Sequence, residues 1–132
     1  MAKSPGGSTF PYYYKGGELH ALKYGSHFAD EARLLALMDA EEAFLQERPA
    51  RRFPMWVDFN ETALSDAIVA RFAAQARALR PQLLRLAVVG CSQRDCRRLE
   101  KALRVAAPDL PLAFRNDPEE AKTWLISDGN GR

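Results

Sequence analysis

Between residues 53 and 127 short apolar runs alternate with amphipathic stretches, a pattern that predicts an α/β domain with helices packed on a mainly parallel sheet. Residues 53–59 supply a strand in which Pro54 is tolerated near the start. A helix is predicted over 65–80, where Ile68, Val69, Phe72, Ala76 and Leu79 form one stripe with Arg71 and Arg77 off it, and Pro81 ends it. The most apolar strand is 84–90, and its unbroken Leu86-Ala87-Val88-Val89 predicts burial on both faces at the sheet centre. Ser92, with Asp95 three residues later, caps a third helix that should bury Cys96, Leu99, Leu103 and Ala106. After a short strand at 112–114, Asp117 as cap, Pro118 at the first position and Glu120 three residues on start a final helix with Ala121, Trp124 and Leu125 inward.

The N-terminal third reads differently. Residues 1–9 are rich in Gly, Ser and Pro with little to bury, so a flexible tail is expected, followed by a single domain over 10–128. Residues 10–14 and 18–24 flank Lys15-Gly16-Gly17 and predict a β-hairpin, since paired glycines accept the positive φ of a tight turn. A first helix is predicted over 28–47, with Leu34, Leu37, Met38, Phe44 and Leu45 on its core arc and Pro49 beyond its end. Glu41 falls inside that arc. Its expected place is the rim, with the carboxylate reaching water; full burial would raise its pKa and demand a partner. The fold class is therefore α/β: a mixed, mainly parallel sheet with an N-terminal hairpin and four flanking helices.

Composition changes this picture little. The chain has 132 residues, 47% hydrophobic and 27% charged, with a net charge of +2, which gives no global electrostatic case for nucleic acid or a membrane surface. The distribution is uneven. Residues 71–104 hold eight Arg and one Lys against two acids, whereas 28–66 hold nine acids against four Arg, so a dipolar surface is expected. Two cysteines make no disulfide framework, and no apolar run is long enough for a membrane span. A reduced, cytoplasmic, bacterial-style protein is expected, with no cofactor and no metal.

Three patterns are candidates for chemistry. Cys91 and Arg97 have the C-x5-R spacing between a strand and a helix, which in phosphatases sets a thiolate under helix amides and an arginine on the phosphate. Here Ser92-Gln93-Arg94-Asp95 would crowd that loop and place a carboxylate beside the phosphate, so buried small hydrophobes are expected at Cys91 and Cys96. Arg94, Arg97, Arg98, Lys101 and Arg104 share one broad face of the third helix, suited to an acidic partner or simply to water. Tyr12, Tyr13, Tyr14 and Tyr24 lie near His20 and His27; an aromatic hairpin edge used for a homodimer fits better than a metal site. No nucleic-acid reading motif is present.

Taken in order, three pieces carry a family resemblance: Met55-Trp56-Val57-Asp58 leading through a loop to Leu64-Ser65-Asp66; Leu86-Ala87-Val88-Val89-Gly90 before a helix; and the strand and helix from Phe114 to Leu125. Residues 10–127 resemble the STAS family of anti-sigma-factor antagonists and its SpoIIAA-like, Sec14-like relatives. The resemblance implies a regulatory protein-interaction domain with no catalytic centre. Its partner-binding residues would be Asp58, Asn60, Thr62, Ser65 and Asp66, together with Arg94, Arg97, Arg98 and Lys101. In the switch members an Asp-Ser-Ser-Gly motif opens the second helix and one serine is phosphorylated. Asp66 matches the motif's Asp, but Ala67 replaces the acceptor serine and the glycine is absent, so the phosphoswitch is lost unless Ser65 or Thr62 substitutes. Ser65 is expected to be only a cap. Alternatives are an apolar-ligand or lipid binder with a pocket under the first helix, and a C-x5-R phosphatase.

Overall fold

The structure is a computed structural model and describes residues 2–127. Among them the elements run β1 (Ala2–Lys3), β2 (Thr9–Phe10), β3 (Tyr12–Tyr14), β4 (Gly17–Lys23), α1 (Glu31–Gln46), β5 (Phe53–Asp58), α2 (Asp66–Leu79), a 3-10 turn (Arg80–Gln82), β6 (Leu83–Val89), α3 (Gln93–Ala106), β7 (Leu112–Phe114) and α4 (Pro118–Ile126). Strands β3 to β7 form one sheet in sequential order, antiparallel at β3–β4 and parallel from β4 onward. The α/β class with a mixed, mainly parallel sheet and four helices is what the apolar pattern predicted.

Because every parallel step moves in the same direction across the sheet, repeated crossovers of one hand deposit α1, α2 and α3 on one face. Their buried stripes (Leu34, Met38 and Leu45; Ile68, Phe72 and Leu79; Leu99 and Leu103) pack on Met55, Val57, Leu86 and Val88. Each such fully buried side chain contributes roughly 1.5–3 kcal/mol. α4 alone covers the other face, setting Ala121 and Leu125 on Leu19, Ala21, Trp56 and Ala87. Lys122 Nζ lies 4.7 Å from the Trp56 ring centre and also faces Tyr12 and Tyr14. Trp124, placed inward by its spacing, is only partly buried, its ring instead lying beneath the Arg85 guanidinium. On α3, Cys96 and Ala106 are likewise partly buried.

Two expectations are corrected by polar packing. Residues 2–9 do not form a tail: β1 pairs antiparallel with β2, and Ser4 and Ser8 are buried. Glu41 is fully buried rather than at the rim. Its Oε2 accepts from Ser4 Oγ and from the Gly6 amide, each at 2.8 Å, and its Oε1 lies 3.1 Å from His20 Nε2. A carboxylate accepts, so the proton sits on that ring nitrogen, and His20 Nδ1 has no partner among the described residues. Ser8 Oγ donates to the Ala21 carbonyl at 2.5 Å. Polar groups fasten this hairpin, so a count of apolar residues misses it. Asp128, the end of the expected domain, lies outside the described residues.

The aromatic edge is corrected as well. Tyr24 is fully buried, its hydroxyl donating to Gln75 Oε1 at 2.8 Å, and Tyr14 is buried with its hydroxyl on Glu119. Only Tyr13 of the four tyrosines is exposed.

Candidate functional site

In a parallel sheet the loops leaving the C-terminal strand ends are free of the packing that fixes the elements, and ligands and partners meet the fold there. In this protein three of those loops are stitched together. Asp58 closes β5 and its Oδ1 accepts from the Asn60 amide at 2.8 Å. The Asn60 backbone lies between two glycines: a Cβ on Gly25 would come within 2.9 Å of Asn60 O, and one on Gly90 within 2.5 Å of Asn60 N. Gly90 also has φ +86°, a conformation L side chains avoid, so β6 is followed by the residue that lets the β5 loop close over it.

Beyond these glycines the loops after β4 and β5 run side by side. Ser26 N donates to Asn60 O at 2.7 Å, Phe28 N to Glu61 O at 2.8 Å and Ala63 N to Phe28 O at 2.7 Å. Thr62 Oγ1 donates to the Tyr24 carbonyl at 2.8 Å and accepts from the His27 amide at 3.2 Å. Ser26, Phe28 and Glu61 all have positive φ, at 61°, 49° and 55°. Three non-glycine residues in the left-handed region within two adjoining loops is a concentration of backbone strain of the kind that functional sites hold. Phe28 is 63% exposed.

These loops and the N-termini of α1 and α2 enclose a cavity of about 180 Å3, lined by His27, Asp30, Glu31, Leu34, Thr62 and Ser65. Both helix N-termini carry a side-chain cap. Asp30 accepts from Arg33 N at 3.1 Å, and Ser65 accepts from Ile68 N at 3.2 Å. The Ser65 hydroxyl also bonds the Glu31 carboxylate, which ties the two helix starts together. His27 is buried and its Nδ1 donates to the Tyr24 carbonyl at 3.2 Å.

Arg98 connects this loop cluster to α3. One guanidinium donates to the Leu64 carbonyl at 2.7 Å, to Asp66 at 2.7 Å and to Asp95 at 2.9 Å. Its two carboxylates hold its pKa above the usual arginine value. Of the arginine stripe, Arg98 therefore belongs to the framework, while Arg94, Arg97 and Lys101 are exposed and make no ion pair among the described residues. The structure thus places Asp58, Asn60 and Thr62 in one hydrogen-bonded set, Ser65 with Glu31 in a second, and Asp66 with Arg98 in a third along the same loop and helix start, with Arg94, Arg97 and Lys101 exposed on the adjoining helix. Sequence reasoning missed Gly25, His27, Phe28 and Gly90. Glycines within two residues of two strand ends were the available signal.

Cys91 and Cys96 flank the first turn of α3, before the Ser92 cap and one turn into the helix, where apolar pairs commonly staple a helix start. Burial, reinforced by Cys96, Asp95 and Asp58 nearby, pushes the Cys91 thiol up to about 12. Cys96 is raised too, chiefly by burial. Phosphatase chemistry needs the opposite shift. Arg97 is exposed. Among the described residues no cluster of three or more His, Cys, Asp or Glu is placed to hold a metal ion, and no helix is long and apolar enough to cross a membrane. Compared with known proteins, the chain matches no family model, no curated protein and no solved structure.

Proposed function

We propose that this chain is a regulatory protein-interaction domain of the SpoIIAA-like kind, working by recognition rather than by bond chemistry. Its recognition surface comprises the loops from Asp58 to Asp66 and the exposed cations of α3. The observation that carries the reading is the Arg98 guanidinium, which ties the Leu64 carbonyl and Asp66 at the start of α2 to Asp95 of α3. Such ties lower the ordering cost of binding. Thr62 and Ser65 serve as structural hydrogen-bonding groups in that face, and Ala67 leaves the acceptor position of the switch motif without a hydroxyl. A partner isolated with the intact chain should bind more weakly to Arg97→Glu and at higher salt, because exposed charge pairs are screened. Indifference to both would remove α3 from the interface.

A second reading, a small-ligand binder, is favoured by the cavity beside His27 and by the strain around it. At about 180 Å3 the cavity is smaller than the roughly 300–1,000 Å3 that drug-sized ligands occupy, so a lipid chain is disfavoured and a ligand of a few atoms fits. The phosphatase reading is disfavoured by the raised Cys91 thiol; absence of p-nitrophenyl phosphate hydrolysis would dispose of it.

A further inference from the structure

On the helical face of the sheet, α2 and α3 leave a solvent-open groove of about 530 Å3. Its floor is built from Ala70, Ala73 and Ala74 of α2 and Ala102 and Ala106 of α3. Alanine at these positions gives two helices a wide, shallow apolar trough in which a third helix can set its ridges. Val105 lines the same trough and is 81% exposed, the most exposed of the large apolar side chains among the described residues.

The charge around the groove is selective. Three of the six arginines of these two helices are paired with the chain's own acids, among them the groove-lining Arg98: Arg71 with Asp39 and Glu42, Arg98 with Asp66 and Asp95, Arg104 with Glu100. Arg77 on the α2 wall and Lys101 on the α3 wall are exposed and have no such acid among the described residues. An apolar floor flanked by two unneutralised cations is complementary to an apolar stripe flanked by carboxylates. The trough lies between helices and offers no open sheet edge, so an added strand has nothing to pair with, whereas a helix laid into a groove does.

We propose that the α2–α3 groove docks an acidic amphipathic helix of a partner protein, with its apolar stripe on the alanine floor and its carboxylates on Arg77 and Lys101. The inference rests on the interaction reading above and names the partner's chemistry. Helices of 14 residues span about 21 Å, so the occupant needs about four turns.

The test titrates the full chain with synthetic peptides of about 18 residues, long enough for that span. One carries Leu at helical spacing with Glu on the remaining face; the second has Lys in place of Glu, and the third has a central proline. Binding is read by fluorescence anisotropy and by amide chemical shifts. The acidic helix should bind saturably and shift residues 70–77 and 98–106. Val105→Glu, and separately Lys101→Glu, should each weaken it about tenfold, as loss of a central interface anchor or charge does. Both positions are exposed, and circular dichroism verifies that the variants fold. Equal binding of the lysine or proline peptide, no effect of Val105→Glu, or no binding overturns the proposal. So do shifts that follow protein concentration alone, which would identify a second copy as the occupant, and binding confined to phosphatidylserine vesicles. Shifts restricted to residues 24–30 and 58–66 would remove the groove yet leave the interaction reading standing. That broader reading is judged separately by the Arg97→Glu comparison.

Discussion

Removing the Glu41 carboxylate should release the N-terminal hairpin and cost more than any other single polar change. In the native chain its two oxygens receive Ser4 Oγ, the Gly6 amide and His20 Nε2 at 2.8, 2.8 and 3.1 Å. Glu41→Ala leaves three donors without acceptors and opens a void in a fully buried position. Each stranded donor costs about 1–3 kcal/mol. Ser4 and Gly6 can regain water if residues 2–10 peel away, but His20 is fully buried on β4 and cannot. The expected loss is about 3–5 kcal/mol, a large share of a typical domain's stability. Glu41→Gln should cost only about 1–2 kcal/mol, since one oxygen still serves Ser4 and Gly6, and the amide can donate to His20 Nε2 once the ring proton moves to Nδ1. Urea unfolding followed by circular dichroism gives both values, and hydrogen exchange at Gly6 and Ser8 reports the hairpin. A Glu41→Ala chain within about 1 kcal/mol of the parent, with Gly6 still protected, would refute the role assigned to the carboxylate.

Other outcomes follow from the same structure. The native Cys91 thiol sits at about 12 against about 8.5 in an unfolded chain, so the folded state holds the extra proton and stability falls as pH rises from about 9 to 12. Cys91→Ala should flatten part of that decline, and native Cys91 should resist iodoacetamide at pH values near 8.5; half-maximal alkylation there would contradict the shift. Gly90→Ala would drive a Cβ to 2.5 Å from Asn60 N and 2.6 Å from Asp58 Oδ1 at φ +86°, so a loss of about 2 kcal/mol or more is expected in thermal unfolding, and a neutral effect would mean the loop seat is misplaced. Lys122→Met removes an ammonium 4.7 Å from Trp56 and its 3.2 Å bond to Tyr12 Oη; it should cost about 1 kcal/mol and alter tryptophan emission, and an unchanged spectrum would argue against the stacked geometry.

The elements were legible where local chemistry sets them. Asp117-Pro118, Ser92 with Asp95, and Ser65 are caps in the structure as in the sequence, and β7 occupies 112–114 as the short apolar run predicts. Long-range polar pairing was not legible. Glu41 meets Ser4, 37 residues away, and a helical wheel holds no information about that encounter. Gln75 and Gln82 are buried for the same reason: one bridges Tyr24 to the Met38 carbonyl, and the other donates to the Leu45 and Arg48 carbonyls at the end of α1. Tyr24 was misread because it directly follows β4, an inner strand of the five-stranded sheet that is covered on both faces, which an aromatic run beside Gly-Gly does not reveal. Within the candidate site the residue types were visible, but their connection was not. Arg98 looks like its neighbours in the stripe until Asp66 and the Leu64 carbonyl come within 2.7 Å of it.

The central claim is that one face, running from residues 58–66 across to α3, recognises a protein. Hydrogen-exchange footprinting of the full chain with its captured partner tests it most directly. Slowed exchange should concentrate at residues 58–66 and 94–106 and disappear with Arg97→Glu. Protection confined to the β3 edge around Tyr13 or to α4 would contradict the account.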